Sequence, residues 1–184
     1  MLTAPELGEY ITTNLTRSAF RLEVLDRYDV ASDGVDYQRF LDGEREPTWE
    51  RKQPWLDHLR QERESGILRH RVHVLRTPLT NYLRYECEWG YVYNSIAGED
   101  IRILDVTNSD IPGGLPDYDF WLIDDQYPIR MHYGPGGEFL GASLPSSDEI
   151  ALYRHARDLA VAESEPFETW WEHHRNERRD FPAA

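Results

Sequence analysis

Hydrophobic positions along the chain switch between a spacing of two and a spacing of three to four, and the switches outline the elements. In "AFRLEVLDRY" the residues Phe20, Leu22 and Val24 alternate with Arg21 and Glu23, which predicts a strand with one buried face. "ILRHRVHVLR" repeats the pattern, with Val72 and Val74 on one side and Arg71 and His73 on the other, and "DIRILDV" puts Ile101 and Ile103 on one face. Helical segments lie between these strands. "GVDYQRFLDGE" reads as a brief helix closed by Gly43, and the polar run "DGEREPTWERKQP" as a loop. Pro54 then opens a helix in which Trp55, Leu56, Leu59 and Arg63 follow helical spacing as far as Gly66. "TPLTNYLRYECEWGYVYNSIAGE" reads mainly as helix, because Tyr82, Tyr85, Trp89 and Tyr93 recur at steps of three and four, although Gly90 interrupts the pattern. Asn94 to Gly98 ends it. Strand, helix, strand, helix, strand is the order of an α/β unit with parallel pairing.

Thr3, Pro5 and Glu6 mark the start of an N-terminal helix within 1–14. After the Pro/Gly-rich loop "TNSDIPGGLPDY", three short strands, "FWLID", "PIRMHY" and "EFLGA", predict an antiparallel meander over 119–142. Ser146 and Glu149 form a capping-box pair before "DEIALYRHARDLAVAE", and Pro166 opens a second helix through "FETWWEHHRNERR", so 146–180 is expected to be a C-terminal helical segment. The expected fold is α/β at the α+β edge: a single domain over 1–184, a mixed sheet flanked by helices.

Composition narrows the functional classes. The 184 residues fit one domain, and Lys plus Arg number 20 against 34 Asp plus Glu, a formal charge of −14. Direct nucleic-acid binding is therefore disfavoured, since it relies on clustered cations; Arg69, Arg71 and Arg76 would have to make a basic stripe against the overall charge. The single cysteine, Cys87, rules out an internal disulfide framework and a Cys-rich zinc module. The first ten residues lack the basic start and apolar core of a signal peptide, and no run of eighteen apolar residues occurs, so a cytoplasmic protein with no membrane segment is expected.

Several residues are candidates for chemistry. The adjacent Asp124 and Asp125 could divide acid and base roles or hold a cation, but neighbours on a strand point to opposite faces and Asp is a common turn residue; the turn reading is preferred. His132 is a candidate general base, weighed against a surface or hydrogen-bonded strand histidine, and no serine or cysteine close in sequence suggests a nucleophile. If the protein is an enzyme, Asp124, Asp125 and His132 are its expected residues. The pairs His70 with His73 and His173 with His174 do not make a chelate alone, so no metal and no cofactor is expected. "GPGG" at 134–137 is followed by a strand-like segment and reads as a turn rather than a phosphate cradle. Tyr82, Tyr85, Trp89 and Trp121 are candidates to line a ligand pocket, closed by the loop at 111–116. Of Trp170 and Trp171, which diverge around their helix, one is expected to pack and the other to offer a partner contact.

The segments "YLRYE" (82–86), "AGEDIRIL" (97–104) and "DFWLIDDQYPIRMHYGPGGEFLGA" (119–142) together resemble an actinobacterial family, domain of unknown function 6879, over about residues 15 to 172. That family implies no established activity. Its layout is similar to the C-terminal domains of helix-turn-helix regulators, which implies regulation by protein contact. A remoter similarity is to the phospholipase D-like fold, whose H-x-K-x-x-x-x-D strand would end at Asp125 or Asp124. The histidine and lysine positions then fall on Tyr118 and Phe120, or on Asp117 and Asp119, so the nucleophile is missing in either register. The leading expectation is a non-catalytic, cytoplasmic interaction domain with a protein partner, working with a transcriptional regulator. The alternatives are a small-molecule sensor with an aromatic pocket and an Asp/His hydrolase or phosphodiesterase.

Overall fold

The alternating segments at 18–23, 68–75 and 100–105 become neighbouring strands because each carries an apolar row that one helix can cover. The computed structural model describes residues 1–29 and 33–179. Strands β1 (Ser18–Glu23), β2 (Leu68–Leu75) and β3 (Asp100–Asp105) run parallel, joined by α2 (Gly34–Leu41) and α3 (Trp49–Glu64) in the first crossover and by α4 (Asn81–Tyr85) and α5 (Val92–Ala97) in the second. The meander β4 (Phe120–Ile123), β5 (Tyr127–Tyr133) and β6 (Phe139–Ser143) pairs antiparallel to β1 through β4. With β7 (Glu165–Pro166) on β3, the mixed sheet has seven strands in the order β6-β5-β4-β1-β2-β3-β7. The α/β fold, the parallel unit and the meander are as the hydrophobic pattern predicts. No helix among the described residues is long and apolar enough to cross a membrane.

One sheet face packs on α6 (Ile150–Ala162). Phe20, Leu22, Val72, Val74, Leu104, Phe120 and Leu122 meet Tyr153, Ala156 and Ala160, whose small side chains let the helix approach closely. The opposite face is apolar only at its two ends. Ala19, Trp121, Ile123, Ile129 and Met131 pack under α1 (Ala4–Asn14), while Ile101 and Ile103 pack with Leu83, Cys87 and Tyr91 and with Phe167 and Trp170 of α7 (Phe167–His173). Between those ends the strands present Arg21, Glu23, Arg71 and His73.

Four expectations need correction. β1 and β2 do not have one buried face and one wet one: Glu23 and His73 are as buried as Leu22 and Val72, because helices cover both sides of the sheet. The run 42–54 is not all loop. Helix α3 begins at Trp49, where Thr48 O accepts from the Arg51 and Lys52 amides at 3.0 Å each, and Pro54 sits inside the helix, deleting one donor without ending it. The aromatic helix is broken by a π segment over Glu86–Tyr91, in which the Val92 amide reaches back to Cys87 O. The last segment enters as strand β7, and α7 stops at His173 before a 3₁₀ turn over Arg175–Glu177. Residue 180, where that segment was expected to end, lies outside the described residues.

Candidate functional site

The inward polar residues of the strands form a chain of alternating charge across the covered face. Arg21 and Arg71 are register partners on β1 and β2, and like charges side by side repel. Glu23 joins them, its two oxygens 2.9 Å from Arg21 Nε and 2.9 Å from Arg71 Nη1. Arg71 also donates twice to Glu99 Oε1, at 2.9 and 2.7 Å. Glu99 is set there by Gly98, which leaves α5 with a φ of 116°. Its second oxygen accepts from Asn94 Nδ2 at 2.9 Å, and Asn94 Oδ1 accepts from Lys52 Nζ at 2.9 Å. In the other direction Arg21 Nη2 reaches Tyr133 Oη at 3.1 Å and Asp119 at 3.4 Å, and Asp119 accepts from Tyr28 Oη at 2.7 Å and the Val24 amide at 2.9 Å. His73 Nε2 faces the Leu25 carbonyl at 3.0 Å and therefore carries a proton, while Nδ1 lies 2.7 Å from Tyr91 Oη, itself 3.1 Å from Glu23. Burial alone would raise the Glu23 carboxyl, but Arg21 and Arg71 hold it down at about 2. Asp119, with weaker help from Arg21, is raised by burial.

The Lys52 end of this chain opens on a cavity of about 480 Å³. Arg51, Lys52 and Trp55 of α3 form one wall, and Tyr85, Glu86, Trp89, Gly90 and Asn94 of the broken helix form the other; Asp33, Asp36 and Arg71 complete it. The π segment sets this wall. Gly90 leaves open the space beside Glu86, where a Cβ would stand 3.6 Å from the carboxylate. Among the described residues, the Glu86 carboxyl has no hydrogen bond or ion pair, and Lys52 has no ion pair. Burial pushes the Glu86 carboxyl up to about 7, reinforced by Asp33 and Glu23 and opposed by Arg71 and Lys52. Burial also lowers the Lys52 ammonium, against the pull of Glu86 and Glu99. The buried Trp89 indole Nε1 has no hydrogen-bond partner among the described residues.

The expected pocket residues are split. Tyr82, Tyr85 and Trp89 share one aromatic cluster with Tyr28 and Phe40, and Tyr85 and Trp89 line the cavity. Trp121 belongs to the apolar end under α1, with the Arg21 guanidinium 5.2 Å from its ring. The loop at 111–116 does not close this cavity; Gly114, Leu115 and Pro116 border a separate groove of about 320 Å³ against α6. Sequence reading missed Lys52, Glu86, Asn94 and Glu99. Thr48 ahead of "WERK" was a legible cap that would have put Lys52 on a helix.

Asp124 and Asp125 are the central residues of a tight turn, with φ of 52° and 59° and the Gln126 amide donating to Ile123 O at 2.9 Å. The Asp124 carboxylate accepts from the Arg17 and Ser18 amides at 2.8 and 2.9 Å, from the Thr16 amide and from Thr16 Oγ1. Those donors overcome its burial and hold its pKa at about 2. Asp125 pairs with Arg157 at 2.6 Å. His132 stands five residues along β5 from the turn partner Tyr127, about 17 Å away at ~3.4 Å per residue, so the structure does not bring these acids and the imidazole together. It does bring Ser143 Oγ to 2.8 Å from His132 Nε2, a contact that the separation in sequence had hidden; no group bonds Nδ1 among the described residues.

The remaining candidates are structural. Trp170 and Trp171 are both buried and stack with rings 17° from parallel, so neither is free to touch a partner. Arg69 pairs with Glu62 at 2.6 Å and Arg71 lies in the charge chain, so they make no basic stripe with the exposed Arg76. His70 packs on Phe20 while His73 faces the other side of β2, and His174 stacks on Trp170 at 4.2 Å. No three potential metal ligands converge among the described residues. "GPGG" is a turn against 27–29, where a Cβ on Gly137 would meet Arg27 O at 2.5 Å. Tyr118 packs under Arg130 at 3.8 Å, Phe120 is core, and Asp119 is a buried acceptor.

No curated protein matches the chain. A family model described as domain of unknown function DUF6879 matches residues 5–172, and the chain belongs to that family.

Proposed function

We propose that this protein is a non-catalytic, cytoplasmic small-molecule-binding domain that serves a regulatory system, its ligand held in the cavity between α3 and the π segment. The observation that carries the reading is a lysine and a carboxyl that have no ion-pair partner among the described residues, on the walls of one cavity of about 480 Å³ beside Tyr85 and Trp89. That volume is in the range of small-ligand sites, about 300–1,000 Å³, and apolar walls with a few placed polar groups are their usual chemistry. The similarity of the family's layout to the C-terminal domains of helix-turn-helix regulators supports the regulatory setting and makes such a regulator the favoured protein partner. Catalysis is less well supported. Cys87 is buried and its thiol is pushed up, and the Asp124 carboxylate is occupied by amides. The His132–Ser143 contact is the arrangement that favours a hydrolase, and among the described residues no group orients the imidazole through Nδ1.

The test is a thermal-shift and calorimetric screen of the full chain with amino acids, nucleosides, sugar phosphates and organic acids, run beside Gly90→Leu, which fills the space next to Glu86. A compound that stabilises the wild type and not the variant supports the reading. Stabilisation by none of these, or equally in both proteins, overturns it. Labelling of Ser143 by a fluorophosphonate, abolished in His132→Ala, would instead establish the hydrolase.

A further inference from the structure

Lys52 and Glu86 define what kind of molecule the cavity takes. Lys52 Nζ is held at 2.9 Å by a neutral group, Asn94 Oδ1, and Asn94 is locked in turn by its 2.9 Å bond to Glu99. The ammonium is thus fixed in direction without being neutralised. Glu86, on the facing helix, has neither hydrogen bond nor ion pair among the described residues, and the two groups do not pair with each other. The other charges on the walls differ. Arg71 is spent on Glu23 and Glu99, and Asp36 accepts from Thr48 Oγ1 at 2.5 Å. One bare cation and one bare carboxyl therefore face a single space whose remaining surface includes the aromatic Tyr85 and Trp89.

We infer that the ligand is a free amino acid with an aromatic or large apolar side chain, its carboxylate on Lys52, its ammonium on Glu86 and its side chain against Tyr85 and Trp89. This inference rests on the ligand-binding reading above. A ligand with only negative charge would leave Glu86 unanswered, one with only positive charge would leave Lys52 unanswered, and a neutral one would leave both groups desolvated. A zwitterion answers both. Burial already drives Lys52 and Glu86 towards their neutral forms, and a ligand of opposite charge at each would restore the ionised ones.

Calorimetry on the full-length wild type with phenylalanine, tyrosine, tryptophan and leucine, each beside its decarboxylated amine and its deaminated acid, tests the assignment without any variant. The zwitterions should bind about tenfold to a hundredfold more tightly than either analogue, the loss expected for one charge-assisted hydrogen bond. In Lys52→Met the amine should match the zwitterion, and in Glu86→Gln the acid should. Amines or acids that bind the wild type as well as the zwitterions overturn the proposal. If another class of compound binds, sensitive to Gly90→Leu, and amino acids do not, the proposal falls while the ligand-binding reading stands. If no compound binds, both fall.

Discussion

Arg71 gives two of its N–H groups to a single oxygen of Glu99, at 2.9 and 2.7 Å, which leaves the other Glu99 oxygen for Asn94. The carboxylate thus ties β2 to the end of α5 and fixes the amide that orients Lys52. Because Glu99 is buried, its removal leaves the Arg71 guanidinium with Glu23 as its one ion-pair partner among the described residues. Glu99→Ala should cost about 3–5 kcal/mol, the usual loss when one partner of a buried pair is deleted. Urea unfolding checks it, and the double variant with Arg71→Met should cost less than the two single changes summed.

Asp124 predicts a stability change at acid pH. Its carboxyl titrates at about 2 in the fold and near the ordinary ~3.9 when unfolded, so its contribution is present above ~4 and lost as pH falls through about 2. Asp124→Asn keeps a residue that tolerates the positive φ but weakens the charge-assisted bonds from Thr16, Arg17 and Ser18. It should lower stability at neutral pH by about 1–3 kcal/mol and flatten the acid limb of a plot of unfolding midpoint against pH.

Glu86 acts with the opposite sign. Its carboxyl holds a proton up to about 7 in the fold but only to the ordinary ~4.3 when unfolded, so the folded state is favoured below ~4.3 and loses that advantage as pH rises through about 7. Unfolding midpoints of the ligand-free protein at several pH values between these limits should show a downward slope that Glu86→Gln reduces.

Much of the architecture was legible because the apolar rows repeat cleanly. Phe20 with Leu22, Val72 with Val74 and Ile101 with Ile103 mark the three parallel strands, and the turn chemistry of Asp124 and Asp125 marks the hairpin. The site was not legible, since alternation says which residues face away from a core but not whether they meet water or a second layer. Arg21, Glu23, Arg71 and His73 read as a wet face, yet Glu23 and His73 are buried and the two arginines are largely covered. Lys52 comes from one stretch and Asn94 and Glu99 from another some forty residues on, and only the fold brings them together.

Trp170 measures how much the last helix matters. It is fully buried, and its Nε1 donates to Asp105 at 2.9 Å, tying α7 to the end of β3. Trp170→Ala should destabilise by about 3–5 kcal/mol through the cavity it leaves, whereas Trp170→Phe should cost far less of the packing and about 1 kcal/mol for the lost bond. Chemical denaturation followed by far-UV circular dichroism separates the two.

The place of β1 in the sheet bears on how the chain folds. Ala19 pairs with Ile123 on one side and Arg69 on the other, so the first strand made is completed only by β4, about a hundred residues later. Contacts so distant in sequence slow folding, and until residues 120–123 arrive the β1 edge stands open to pairing with other chains. A chain released from the ribosome before the meander would carry the parallel unit with β1 as an open edge, and should be recovered bound to chaperones or in aggregates rather than as a folded half.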